Sequence, residues 1–192
     1  MNDIQADPSS GGTDAAGTAS GPASGDEPGQ PVSVVLGADD EEPPSTSWLA
    51  DRLRQAVRAA GIRVDQFTVI IIDDLHMTDL HGRFRGEACT TDVLTFDLSD
   101  PGADGGADHG ADAIDAEVYI CLDEARRQAA RRGHDVDREL LLYAIHGLMH
   151  LSGHDDHDPA ACAAMHAAED DLLESIGVGP VYGRSAHHEE RH

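Results

Sequence analysis

Lysine is absent from the sequence, and all 13 basic residues are arginines. With 37 acidic residues, the formal net charge is -24. Such a charge keeps a chain in solution but repels polyanions on average, so the composition alone argues against nucleic-acid binding. Aromatic residues make up only 4% of the chain, and a core must therefore be filled by Val, Ile, Leu and Ala.

Disulfide and membrane signals are also lacking. The three cysteines, Cys89, Cys121 and Cys162, are odd in number and form no CxxC pair, which favours a reducing compartment. No signal-peptide pattern opens the sequence, and no apolar run approaches the roughly 20 residues that a membrane span needs. We therefore expect a cytoplasmic protein that has no membrane partner.

The composition divides the chain into one domain and its flanks. Residues 1–30 are Gly, Ser, Ala, Pro and Asp with almost no large apolar side chain, and are predicted to be a disordered acidic tail. Residues 99–115 lack core-forming side chains and predict a flexible insertion. The domain itself should span residues 31–178, and residues 179–192 should form a polar tail.

Hydrophobic periodicity predicts the fold class. Runs of β-branched or alternating residues predict four strands, at residues 32–36, 67–72, 91–96 and 117–122. The second run is almost wholly apolar and should form a central strand buried on both faces.

Helical spacing and capping residues predict about five helices, among them a short one over 75–80 that is followed by a loop at Phe84–Gly86, and one capped by Asp123. The result is an α+β domain with a single small mixed β-sheet of about four strands.

Two histidines at the end of a buried helix carry the main chemical signal. His146 and His150 follow an apolar run and are four residues apart, so their imidazoles lie on one helix face and can bind one metal ion. Gly153 then allows the chain to turn back in a left-handed conformation. A further ligand can come from this turn, where either Asp156 or His157 is available.

The residue between the two histidines restricts the chemistry. Zinc peptidases with this spacing carry a glutamate directly after the first histidine, as the base that activates water. Here the position is Gly147, so a peptidase of that mechanism is not expected. A bound metal can still lower the pKa of water toward about 7 without that glutamate.

Several segments resemble one known family. Residues 146–156, HGLMHLSGHDD, resemble the HGxLHLxGYDH signature of the YbeY family, bacterial endoribonucleases of ribosomal RNA processing. Upstream, residues 80–96 resemble that family's LNxxYRG…PTDVLSF block, and residues 115–122 resemble its GDIVIC strand. Met165 and Glu169 stand where the family often has Met and Glu.

The resemblance implies a metal-dependent, single-strand-specific endoribonuclease that acts in maturation of small-subunit ribosomal RNA and in ribosome quality control. Its partners would be ribosomal RNA and the small subunit, with no DNA expected. It also implies one Zn²⁺ per chain on three ligands, with His146 and His150 as the first two. His146 and Arg85 are then the catalytic candidates, since a guanidinium can bind a phosphodiester bidentately.

The sequence departs from the family pattern at the third ligand. Read without a gap, that position is Asp156 and not histidine, and Met165 and Glu169 keep their register only in this alignment. His157, one residue later, is the better zinc donor by type. We favour Asp156 and keep His157 as the alternative.

Two other functions fit the same motif. One is a ribosome-associated factor whose zinc is structural and whose cleavage activity is small, which would follow if four protein ligands closed the site. The other is a metallohydrolase of another substrate. For RNA binding, Arg83, Arg85 and the arginines at 126–132 are expected to form a local positive groove despite the net charge.

Overall fold

The computed structural model describes residues 31–87, 89–99 and 113–183. The predicted tail at 1–30, residues 100–112 of the predicted insertion and residues 184–192 lie outside the described residues. Within the described ranges the chain forms one four-stranded mixed sheet and five helices, which confirms the α+β prediction.

Strands and helices alternate through most of the chain. Their order is β1 (Val32–Leu36), α1 (Thr46–Ala60), β2 (Val64–Ile72), α2 (Asp74–Arg85), β3 (Val93–Asp97), β4 (Ile114–Cys121), α3 (Leu122–Arg132), α4 (Val136–Leu151) and α5 (Pro159–Ser175). In the sheet the order is β1-β2-β4-β3, with the first three strands parallel and β3 antiparallel to β4 at the edge.

The two faces of the sheet are covered unequally. On one face, buried side chains of β1, β2 and β4 pack with α1, α3, α4 and α5 into the main core. On the other face, Met77 and Leu80 of α2 lie over Ile72, Leu94 and Cys121. Strand β2 is therefore central, but it is fully buried on one face only, because Thr68 and Ile70 are partly exposed on the other. The expectation of complete burial on both faces is thus wrong.

Some element boundaries differ from the prediction. Helix α2 continues through Arg85, so the predicted loop at Phe84–Gly86 is wrong. Ile114 and Asp115, expected in the insertion, belong to β4 and pair with β2. Helix α3 begins before Asp123, whose carboxylate instead accepts a hydrogen bond from the backbone N–H of Asp74 at 2.9 Å.

Arginines of α3 connect separate parts of the chain. Arg126 donates two hydrogen bonds to Asp40, at 2.6 and 2.7 Å, and holds the pKa of that carboxyl down, at about 2. Arg127 donates to both oxygens of Asp74, at 2.7 and 2.8 Å. Because each of these guanidiniums is matched by a carboxylate, the expected positive groove does not include them.

The chain stays packed against the domain beyond residue 178. The backbone N–H groups of Val181 and Tyr182 donate to the buried carboxylate of Asp170 on α5, at 2.6 and 3.1 Å. Among the described helices, none combines the length and the apolar character that crossing a bilayer requires.

Candidate metal centre

The last turn of α4 and the segment after it bring three donor atoms together. The Nε2 atoms of His146 and His150 are 3.0 Å apart. Beyond Gly153, whose φ of 90° turns the chain back, the Oδ2 atom of Asp156 lies 3.9 Å from the first nitrogen and 3.8 Å from the second. The three side chains thus form a group that could hold one ion.

His157, the alternative third ligand, points elsewhere. Its ring contacts the carboxylate of Asp155, two residues before it, and its side chain is 86% exposed. Among the described residues, the donor groups combine His157 with Asp155 and Asp156 and not with the two helix histidines. In this arrangement Asp156 and His157 do not close a four-ligand site around His146 and His150.

Each histidine ring is oriented through its second nitrogen. The Nδ1 atom of His146 lies 2.7 Å from Oε1 of Glu169 on α5, a carboxylate with no exposed surface. The Nδ1 atom of His150 lies 3.2 Å from the carbonyl oxygen of His154. Because both oxygens accept, both Nδ1 atoms carry hydrogen in the neutral rings, and the Nε2 lone pairs face Asp156. This is the usual outer arrangement of metal-binding histidines.

The donor set fits zinc. Tetrahedral zinc at about 2.0–2.1 Å from N and O ligands places those ligands about 3.3 Å apart. The three distances of 3.0, 3.8 and 3.9 Å bracket that value. Two imidazoles and one carboxylate also form the ligand set of a class of catalytic zinc sites, which leaves one position for water or substrate.

Glu169 also sets the protonation of the ring that it contacts. Burial lowers the pKa of His146, but the hydrogen bond and the negative charge of Glu169 outweigh this effect, so the pKa is raised. The second oxygen of Glu169 has no hydrogen-bond partner among the described residues. The same carboxylate also acts on Tyr182, because burial and the negative charge of Glu169 raise the pKa of the Tyr182 hydroxyl.

The structure explains why glycine separates His146 from the following leucine. A Cβ atom at Gly147 would lie 3.0 Å from Cγ1 of Val118 on β4 and 3.1 Å from Oγ1 of Thr95 on β3. Helix α4 therefore packs so closely against the sheet that a larger residue would require Val118 or Thr95 to shift by a few tenths of an ångström. A glutamate at this position would start from the helix face that packs on the sheet, so its larger side chain would meet the same neighbours.

A polar cavity of about 380 Å³ opens beside the three donors. Its wall includes Asp92, Arg132, Tyr143 and Tyr182 besides His146 and Asp156. The ring of Tyr182 stacks on His166, with centroids 3.8 Å apart, and the guanidinium of Arg132 covers it at 5.1 Å. Because the His166 ring already occupies a face of Tyr182, we assign Tyr182 to the wall of the cavity.

Arg85 lies apart from the histidines. It is exposed at the last residue of α2, on the face of the sheet opposite α4. Its neighbour Phe84 packs edge-on against Phe96 of β3, with centroids 4.8 Å apart. Because α2 and α4 cover different faces of the sheet, Arg85 does not belong to the group formed by the three donors.

Sequence reasoning assigned no role to Glu169 beyond its register. Its signal was present, because Met165, Leu172, Leu173 and Ile176 mark the buried stripe of α5 and Glu169 falls within it. A charged residue inside an apolar stripe predicts a buried carboxylate that needs a partner. Tyr182 carried no such signal, since it follows the last helix in a polar segment.

Comparison with known proteins gives one consistent result. A family model described as Endoribonuclease YbeY matches residues 40–177. A protein named Endoribonuclease YbeY from Moorella thermoacetica is 37% identical over 130 residues, which cover 66% of this chain and 83% of that protein. Its namesake from Thermobifida fusca is 35% identical over 163 residues, covering 83% of this chain and all of that protein.

A solved structure shares the fold. The solution structure of TM1509 from Thermotoga maritima superimposes with a TM-score of 0.52 and 23% sequence identity, covering 76% of this chain and 88% of that one. At this identity the likeness concerns the fold alone.

Proposed function

Because this chain belongs to the YbeY family of endoribonucleases, we propose that it is a zinc-dependent enzyme that cleaves single-stranded RNA during maturation of small-subunit ribosomal RNA. A role as an endoribonuclease in ribosomal RNA processing follows from the family itself. We propose in addition that the enzyme depends on zinc and prefers single strands. We also propose that it binds the small subunit, takes part in ribosome quality control and is located in the cytoplasm.

One observation carries the zinc proposal, namely the convergence of three donors beside an open polar cavity. His146, His150 and Asp156 would hold the ion, and Glu169 would orient His146 through Nδ1. A zinc ion bound there would supply Lewis acidity toward a phosphodiester. His157 is the alternative third ligand if the segment rearranges on binding.

Arg85 would bind a phosphate of the same RNA strand. Its guanidinium is exposed, and among the described residues no carboxylate forms an ion pair with it. Its neighbour Arg83, by contrast, is held by Asp79 at 2.8 Å. Arg85 would neutralise one phosphate charge of an RNA strand that runs over β3 to the cavity, and another linkage of that RNA would lie at the donors. An A-form duplex is too rigid to follow such a path closely, which favours single strands.

The negative net charge of the chain gives salt two opposing effects on RNA binding. Neutralisation by Arg85 is local, while the excess of acidic residues repels RNA over a range set by the Debye length, about 10 Å at 0.1 M salt. Moderate salt should therefore weaken the repulsion and the phosphate contact together.

The test is cleavage by zinc-loaded protein of one single-stranded RNA. The same RNA annealed to its complement, a DNA of the same sequence and an unstructured peptide are tested in parallel. We expect cleavage of the single-stranded RNA alone, and its loss in His146→Ala. Cleavage of the peptide would indicate a metallohydrolase of another substrate. No cleavage by fully zinc-loaded protein would indicate a factor with a structural ion.

A further inference from the structure

A second group of donor side chains lies at the C-terminal end of α2. His81 in the last turns of the helix, Glu87 just after it and Cys89 in the following loop have donor atoms within 4.8 Å of one another. The Sγ atom of Cys89 is 3.7 Å from Nδ1 of His81 and 3.9 Å from Oε2 of Glu87. The same carboxylate oxygen is 3.9 Å from Nε2 of His81.

The hydrogen bonding of His81 prepares its ring for a metal. Nδ1 lies 2.9 Å from the carbonyl oxygen of Cys89, which can only accept, so Nδ1 carries the hydrogen of the neutral ring. Nε2 is then left with a lone pair, and it is the nitrogen that faces Glu87. A backbone carbonyl that orients the ring from its other nitrogen is a recurring support of metal-binding histidines.

We propose that His81, Glu87 and Cys89 bind a second divalent ion of the zinc class, distinct from the ion at the three-donor centre of α4. Sulfur, nitrogen and carboxylate oxygen are all zinc donors, and the thiol gives its proton to solvent when the metal binds. In a tetrahedral site a thiolate at about 2.3 Å and an oxygen at about 2.0 Å are separated by about 3.6 Å. The Sγ–Oε2 distance of 3.9 Å is about 0.3 Å longer than this value. The exposed side chains of Glu87 and Cys89 would turn to place their donor atoms around Nε2 of His81.

The group is buried on the side of His81 and open to solvent on the side of Glu87 and Cys89. His81 is a residue of α2 and is only 9% exposed, whereas Glu87 and Cys89 lie at the surface. The ion would therefore enter from solvent and keep a position for water. It would tie the end of α2 to the start of β3, and so fix the segment that directly follows Arg85. This inference does not depend on the proposed nuclease activity.

The experiment uses cobalt, because a thiolate bound to Co²⁺ gives a near-ultraviolet charge-transfer band that nitrogen and oxygen ligands do not produce. The α4 centre contains no sulfur, so such a band reports only a cysteine ligand. Full-length protein, reduced and stripped of metal, is titrated with Co²⁺. We expect the band to appear in the wild-type protein and in His146→Ala, where the first centre is damaged.

Two cysteine variants give the matched comparison. Cys89→Ser, an exposed substitution, should abolish the band and lower the number of zinc ions bound per chain from two to one. Cys162→Ser, the control, should leave both unchanged, although its sulfur also lies 3.7 Å from a histidine nitrogen, that of His166. Glu87→Gln should keep the band but weaken cobalt affinity at least tenfold.

Three results would overturn the proposal. They are the absence of a band in the wild-type protein, a band that survives in Cys89→Ser, and a zinc ratio of one per chain that does not change with Cys89→Ser. None of these measurements uses RNA, so a failure here is separate from a failure of the proposed function.

Discussion

The Nδ1 atom of His146 on α4 lies 2.7 Å from the Oε1 atom of Glu169 on α5, and this contact connects the last helix to the proposed metal centre. The two residues are 23 positions apart and belong to different helices. Helix packing therefore sets the direction of the ligand's ring, and changes in α5 should alter metal binding without touching a ligand.

Replacing Glu169 tests that relationship. Glu169→Gln keeps an oxygen near Nδ1 but removes the charge, and we expect zinc affinity to fall by about 10–100-fold, with a larger loss for Glu169→Ala. Zinc affinity is measured by competition with a chelator. Asp171→Asn, an exposed acid on the same helix, is the control and should leave the affinity unchanged. Equal affinity in wild type and Glu169→Gln would show that the buried carboxylate has no part in the centre.

The third ligand is tested by neighbouring substitutions. Asp156→Ala should lower zinc affinity at least tenfold, about 1.4 kcal/mol, because its carboxylate faces both histidines. His157→Ala should change the affinity by less than about twofold, because its ring contacts Asp155 instead. Asp156→His should bind zinc, unlike Asp156→Ala, because histidine again supplies a third donor. The reverse ranking of the two alanine variants would place His157 in the centre.

Arg85→Lys tests the phosphate contact. Lysine keeps the charge but lacks the planar fork of the guanidinium, so we expect RNA cleavage to fall at least tenfold, about 1.4 kcal/mol, with zinc content unchanged. Arg83→Lys, two residues away on the same helix and paired with Asp79, should change the rate by less than about twofold. Single-turnover rates decide the matter, and similar losses in both variants would argue for a general effect of α2.

The close approach of α4 to the sheet predicts opposite effects of two similar substitutions. Gly147→Ala should destabilise the protein by about 1–3 kcal/mol, since its Cβ would press on Val118 and Thr95. Gly82→Ala, in α2, meets nothing closer than 3.8 Å and should stabilise by about 0.5–1 kcal/mol through helix propensity. Urea unfolding of metal-free protein measures both. A neutral Gly147→Ala would mean that the helix can move outward freely.

The ion pair of Arg127 and Asp74 predicts a stability change with pH. The hydrogen bonds from Arg127 outweigh the opposing effect of burial and lower the pKa of Asp74. A carboxyl whose folded pKa is lowered stabilises the fold above its unfolded pKa of about 4, and this contribution is lost as the pH falls toward the folded pKa. Asp74→Asn should therefore be less stable than wild type at pH 7, by about 1 kcal/mol since the carboxylate is partly exposed.

Below pH 4 the difference between Asp74→Asn and wild type should shrink, as thermal melts across pH 2–7 would show. Asp79→Asn, at an exposed ion pair of the same helix, serves as the comparison and should differ from wild type by less than about 0.5 kcal/mol throughout. A constant deficit for Asp74→Asn over the whole range would mean that the carboxylate acts by packing and not by charge.

Much of this architecture was predictable because it depends on local patterns. The apolar run of β2 and the histidine spacing on α4 each act within a few residues. The full extent of α2 was not predictable in the same way. Its first half packs Met77 under the sheet, but its last turns are held by few apolar contacts and read as a loop in sequence.

The remaining features depend on partners that are distant in sequence. The arginines of α3 looked like a free cationic surface, yet Arg126 finds Asp40 and Arg127 finds Asp74, 86 and 53 residues away. The start of β4 at Ile114 was not predicted, because an acidic, glycine-rich stretch precedes it. Its strand conformation depends on pairing with β2. No local rule identifies such partners, because they are chosen by the packing of the whole domain.

The position of β2 at the centre of the sheet also bears on how the chain folds. Its β1 partner precedes it in the chain, whereas Val118, the partner of Val69 on β4, follows 49 residues later. Until those later residues meet it, an uncharged β-branched run, Phe67–Ile72, has one edge unpaired, and such edges associate between chains. Refolding at high concentration should therefore favour aggregation, and synthesis on the ribosome should leave this strand exposed until β4 has emerged.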